Sequence, residues 1–197
     1  MKYPPVLLLD IMDTLVYNPF NQEIPDFFGL TQKELLREKD PTAWIEFELG
    51  EIDEPEYLRR YFDDARWFDH ASFLRVVQNA YRWMDGAQQL LERLRAQGIE
   101  IHALSNYPVW YQTIESRLGL SRYLQWTFVS CHTGVRKPAP EAFLGAARAL
   151  NRPPQKCLFV DDSLTNCQAA ETTGMPAIHF VDATSLWTEM AGRGWVR

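Results

Sequence analysis

The stretch Val6-Leu7-Leu8-Leu9-Asp10-Ile11-Met12-Asp13-Thr14-Leu15 decides the fold of this chain. Four apolar residues lead to a carboxylate, and a hydroxyl follows four positions later. With Pro4 and Pro5 before it and polar residues after, the run reads as a buried strand ending at Asp10. Ligands bind at the carboxyl ends of strands in open parallel sheets, which makes Asp10 the first candidate for chemistry. An Asp at a strand end also serves simply to turn a chain into solvent. What singles this one out is recurrence: the strand-like runs Ile99 to Leu104, Trp126 to Ser130 and Cys157 to Val160 lead into Ser105-Asn106, Arg136-Lys137 and Asp161-Asp162. All of these endings suit one anionic-substrate site.

From Asp85-Gly86 onward helices and strands alternate. Helices are expected near Ala87 to Gln97, Val109 to Leu118, Pro140 to Leu150 and Leu164 to Thr173, with strands at Ile99, Trp126, Leu158 and Ala177. That alternation calls for parallel strands joined by right-handed crossovers. Between the first strand and this series, from about Gly29 to Met84, helical patterns follow one another with good start signals. Thr31-Gln32-Lys33-Glu34 has the form of a capping box, Asp40-Pro41 opens the next helix, and Asp53 and Asp69 can cap two more. The expectation is a doubly wound α/β core of residues 1–16 and 85–197, carrying an all-helical insertion over 17–84.

At 197 residues, with 46% hydrophobic and 23% charged residues, the chain has the composition of an ordinary globular protein. No apolar run approaches the roughly 20 residues of a membrane span, and a strand starting at Val6 leaves no room for a leader, so a cytoplasmic location is expected. The net charge of −6 and the lack of a basic block argue against nucleic acid or an anionic membrane as partner. Cys131, Cys157 and Cys167 form no CxxC pair and read as packing residues. The expected partner is a small molecule, the assembly a monomer or homodimer.

Asp10 at a strand end can act as a nucleophile toward phosphorus or an activated carbon. An anionic substrate then needs a cation beside it. Asp161-Asp162 offer the hard oxygens that Mg²⁺ prefers, and with Asp10 and the main-chain carbonyl of Met12 they complete a Mg²⁺ site. The same pair could instead be an exposed helix start, with Asp162 or Ser163 as N-cap. Lys137, set between Gly134-Val135-Arg136 and Pro138-Ala139-Pro140, can place a point charge on a phosphoryl oxygen and on the nucleophile. Ser105 and Asn106 supply a hydroxyl and an amide suited to phosphate oxygens, although Ser-Asn also forms turns.

Together, Asp10-x-x-x-Thr14, Ser105, Lys137 with its prolines, and Asp161-Asp162 resemble, in order and spacing, the four motifs of the haloacid dehalogenase-like (HAD) superfamily; the helical insertion resembles its C1-type cap. The resemblance spans the whole chain. It implies a Rossmann-like fold with Asp10 as nucleophile, Thr14 and Ser105 as phosphate binders, and Lys137 as charge stabiliser. Asp10, the Met12 carbonyl and Asp162 would be Mg²⁺ ligands, with Asp161 supporting. The stretches Leu9 to Phe20, Pro41 to Glu48 and Asn106 to Tyr111 look like the branch of FMN hydrolases found in plant chloroplasts, which implies a phosphatase releasing riboflavin from FMN.

Phosphatases of that superfamily usually carry a second Asp two positions after the nucleophile, where this chain has Met12. A thioether transfers no proton at neutral pH, and loss of a general acid/base typically costs about 10²–10⁴-fold. Haloacid dehalogenases lack that Asp too, which makes carbon–halogen hydrolysis a rival reading; they are metal-free, however, whereas this chain keeps Asp161-Asp162. A catalytically weak binding protein is the third reading. The insertion is rich in aromatic residues, among them Phe27, Phe28, Trp44, Phe47, Tyr57, Tyr61 and Phe73, which suit either a small core of their own or a flat heterocycle. His102 and His179 read as structural; His132, which precedes the Lys137 loop, is open to either a surface role or a reach into the site.

Overall fold

The apolar run forms a strand at the centre of the molecule. In the computed structural model, which describes residues 6–197, β1 (Val6–Leu9) pairs on one side with β2 (Glu100–Ser105) and on the other with β4 (Cys157–Asp161). Pro4 and Pro5 lie outside the described residues. With β3 (Gln125–Val129) and β5 (Ala177–His179) at the edges, the order is β3-β2-β1-β4-β5, and every pairing is parallel. Leu7 and Leu9 enter one hydrophobic core, Val6 and Leu8 the other. The strand is therefore covered on both faces, which is why it reads as unbroken apolar sequence rather than as alternation.

Helices α1 (Glu23–Phe28), α2 (Gln32–Glu38), α3 (Ala43–Glu48), α4 (Glu54–Arg59) and α5 (His70–Ala80) lie between β1 and the crossover helix α6 (Ala87–Ala96). They are followed by α7 (Tyr111–Leu118), α8 (Ser130–Thr133), α9 (Pro140–Ala149), α10 (Leu164–Thr172) and α11 (Ala183–Gly192). Thr31 and Glu34 complete the capping box of α2, while Asp53 and Asp69 cap α4 and α5. The Asp40-Pro41 signal acts two residues early. Asp40 Oδ1 accepts from the Thr42 and Ala43 amides at 2.7 and 2.8 Å, and α3 starts only at Ala43.

The helical region starts earlier than Gly29, because α1 carries Pro25 in its first turn, where a missing N–H costs little but hides the helical pattern. Phe27, Phe28, Tyr61, Phe62, Phe68 and Phe73 meet mostly edge to face, in a cluster continuous with the core that takes Leu7 and Leu9. Among the described residues no helix is long and apolar enough to cross a membrane.

Candidate active site

Parallel pairing in register brings the strand ends to one rim. Leu9 lies opposite Ala103 and Val160, and the Asp10 amide donates to the Val160 carbonyl at 2.9 Å. Asp10 therefore emerges beside Ser105, the last residue of β2, and Asp161, the last of β4. Lys137 arrives from the turn before α9. Its Nζ donates to Asp10 Oδ1 and to Asp161 Oδ2, both at 2.6 Å, and its side chain is 2% exposed. The turn is held by Asn106. That amide's Nδ2 donates to the Lys137 carbonyl and its Oδ1 accepts from the Lys137 amide, each at 2.8 Å. The side chain of Asn106 is thus occupied in positioning the lysine.

Thr14 is fully buried, with its hydroxyl 3.4 Å from Asp10 Oδ2. Ser105 Oγ is buried and has no hydrogen-bond partner among the described residues. An orphaned hydroxyl beside a carboxylate is costly unless a ligand satisfies it. Ser163 Oγ accepts from the Asn166 amide and caps α10, so Asp162 is released from the capping role and stands exposed at the rim. Asp161 also accepts from the Ser163 amide at 2.7 Å and from Asn166 Nδ2, which pin it in place.

Asp10, Asp161 and Asp162 each present a carboxylate oxygen within 4.8 Å of the others. Burial pushes the Asp10 carboxyl up to about 7; Lys137 opposes that rise, while Asp161 and Asp162 add to it. Burial and then Asp161 push Asp162 up to about 6. Lys137 is shifted up although burial works against its charge, because Asp10 and Asp161 outweigh the desolvation. Three carboxylates against one ammonium leave two negative charges in excess when all are ionised. Hard oxygens with that excess fit one divalent cation such as Mg²⁺.

Beside this cluster opens a pocket of about 370 Å³ between the helical insertion and the sheet, with Met12 and Asn106 on one wall and Phe20, Lys39, Trp44 and Tyr57 on the other. Trp44 faces the pocket; Phe47 is buried and stacks on Tyr57 at 4.7 Å instead. His132 bonds the Tyr111 hydroxyl on the outer surface, and His102 bonds Thr127 and Glu100. Asp13, where φ is +57°, turns its carboxylate to the Asn18 and Asn21 amides at 3.2 and 2.8 Å. Sequence reading passed over Lys39 and Glu48. Lys39 follows the last residue of a helix like many solvated lysines, and Glu48 sits at a helix end. Glu48 is in fact 2% exposed and paired with Arg136 Nε at 2.5 Å.

A family model described as haloacid dehalogenase-like hydrolase matches residues 5–174. Flavin mononucleotide hydrolase 1 of Arabidopsis thaliana, a chloroplast protein, is 46% identical over 190 residues, covering 96% of this chain and 78% of its own. Among solved structures, a HAD-family enzyme from Bacteroides thetaiotaomicron in complex with magnesium and inorganic phosphate superposes with a TM-score of 0.74 at 18% identity, covering 94% of this chain and 100% of that one. A dehalogenase superposes at 0.71 with 14% identity, covering 96% and 98%. At such identities the two structures share the fold and nothing finer. The match over most of the sequence and the extent of the Arabidopsis similarity, added to the motif geometry, show that the chain belongs to the haloacid dehalogenase-like hydrolases.

Proposed function

We propose that this protein is a Mg²⁺-dependent phosphomonoester hydrolase acting through an aspartyl-phosphate on Asp10, with FMN as its favoured substrate and riboflavin as product. The observation that carries this reading is the pairing of Asp10 with Lys137, next to Asp161 and Asp162, at the rim where the parallel strands end; Met12 and Asn106, close to Asp10 and Lys137, line the neighbouring apolar pocket. The name of the Arabidopsis relative supports the choice of FMN. Residues 17–84 would act as the cap that encloses the leaving group.

Lys137 holds Oδ1 of Asp10 and leaves Oδ2 facing only the Thr14 hydroxyl among the described residues. That oxygen attacks phosphorus, the bond from phosphorus to the substrate alkoxide breaks, and the alkoxide takes a proton. Water then hydrolyses the acyl-phosphate and frees inorganic phosphate. Ser105 and Thr14 donate to phosphoryl oxygens, Lys137 neutralises charge gathering there, and Asn106 keeps Lys137 in place. Asp10, Asp161, Asp162 and the Met12 carbonyl would hold Mg²⁺, whose contribution when bound is to offset the charge of phosphate and carboxylates. Met12 lines the pocket and brings no proton, and Asp13 is engaged by Asn18 and Asn21, so the proton for the alkoxide comes from water or from a side chain of the cap.

The side chain of Met12 is also what favours a second reading, hydrolysis of a carbon–halogen bond by the same carboxylate. A panel of phosphomonoesters including FMN, assayed with Mg²⁺ and with a chelator, tests both, with Asp10→Asn as control. Phosphate release that needs Mg²⁺ and Asp10 is expected. Equal release by Asp10→Asn, or halide release that survives chelation, would overturn the proposal.

A further inference from the structure

We propose that Lys39 is a specificity-determining residue of the pocket: its ammonium receives the electron-rich carbonyl edge of a flat, conjugated leaving group such as the pyrimidine-dione edge of a flavin. The inference rests on the phosphatase reading and names what that site selects. A lysine after a helix end normally extends into water. This one is half-buried and lines the cavity, with Nζ 4.7 Å from the ring centre of Tyr61, 5.0 Å from Phe20 and 5.6 Å from Trp44.

The ammonium makes no hydrogen bond or ion pair among the described residues. Its acidic neighbours are engaged elsewhere, Glu38 by Arg66. Asp40 accepts from the Thr42 and Ala43 amides and lies 3.6 Å from Arg60, and Glu48 is paired with Arg136. Burial lowers the Lys39 pKa to about 8, with Glu48 opposing, which is the mark of a cation left short of partners. Ring faces offset part of that cost but satisfy none of its three N–H donors. An incoming carbonyl edge would satisfy them.

The rest of the pocket matches such a ligand. Trp44, Tyr57 and Trp110 supply apolar ring surface suited to the faces of a heterocycle. Met12, two residues after Asp10, and Asn106, which bonds the Lys137 main chain, lie on the same lining, so a molecule with its ring against Lys39 reaches the side of the pocket that adjoins the Asp10–Lys137 pair. An aliphatic phosphomonoester offers this half-buried ammonium no carbonyl edge, and a site built to hydrogen-bond one group of a substrate discriminates against ligands that lack it.

The test measures kcat/KM for FMN and for glycerol phosphate in wild type, Lys39→Met and Lys39→Arg, together with riboflavin binding by quenching of flavin fluorescence. In Lys39→Met the FMN-to-glycerol-phosphate ratio is expected to fall at least about tenfold, through KM, and the riboflavin Kd to rise by a similar factor. Lys39→Arg, which keeps the charge, should recover most of both. Lys39→Gln serves as second variant should Lys39→Met not fold. A ratio and a riboflavin Kd both within about twofold of wild type in a folded neutral variant would overturn the assignment. Failure of the phosphatase reading looks different: riboflavin would bind and depend on Lys39 while no phosphomonoester released phosphate. Hydrolysis of other phosphomonoesters with no affinity for FMN or riboflavin would sink the Lys39 assignment and the choice of FMN while leaving the phosphatase reading standing.

Discussion

Lys137 keeps its charge with almost no water around it, because Asp10 and Asp161 take its protons' hydrogen bonds at 2.6 Å. Removing one member of a buried ionic group strands the others, at a cost of about 3–5 kcal/mol. Lys137→Met is therefore expected to lower Tm by on the order of 10 °C as well as turnover by at least about 10²-fold. Calorimetry alongside a phosphate-release assay checks both; an unchanged Tm would refute the account of the charge cluster. At this scale Asp10, Lys137, Asp161 and Asp162 were legible in the sequence, since each follows an apolar strand or sits in a proline-bound turn. The placement of Lys39 was not, because its environment comes from Phe20, Trp44 and Tyr61, on three separate segments that only tertiary packing brings together. The engagement of Asn106 with the Lys137 main chain, 31 positions away, was hidden for the same reason.

Among elements, α3 and α8 form one part of the seam between the helical insertion and the sheet. The Ser130 hydroxyl donates to the Glu48 carbonyl and accepts from the Tyr107 amide at 3.0 Å, and the Glu48 carboxylate meets Arg136. Gly50 has a φ of +75°, and a Cβ there would stand 2.5 Å from the Cys131 carbonyl oxygen, so that turn accepts glycine alone. Burial holds the Glu48 carboxyl above its ordinary value, with Arg136 opposing. The folded state thus binds more protons at Glu48 than the unfolded chain, and that group's contribution to stability falls as pH rises above the ordinary carboxylate range.

Arg136 limits the fall. Since its side chain is 37% exposed, Arg136→Met is expected to cost about 2 kcal/mol near pH 8, short of a fully buried pair, and less near pH 4.5, where the raised Glu48 carboxyl carries less charge. Urea denaturation at the two pH values measures it, and an equal loss at both would contradict the ionic origin. The strand-and-helix alternation was legible because each crossover helix carries its own caps or apolar stripe. Helix α8 was not, being four residues long and continuous with the apolar end of β3, and α11 lay past the last alternating element despite its Asp182 cap.

For the molecule as a whole, the concentration of three acids around one lysine means that folding gathers charge which a divalent cation would relieve. Mg²⁺ at about 100 times its Kd should stabilise the fold by about 2.7 kcal/mol, a Tm rise of roughly 5–10 °C, with most of the shift lost in Asp162→Asn. A thermal-shift titration with Mg²⁺ against a chelator control measures this, and no shift at saturating Mg²⁺ would remove the cation from the account. The pocket carries a consequence of a different kind. Its walls come from both sides of the seam, Phe20, Lys39 and Trp44 facing Met12, Asn106 and Trp110. Any guest that fills it behaves as mortar between two blocks: the grip that selects it also knits them together, and it can depart only by letting them part.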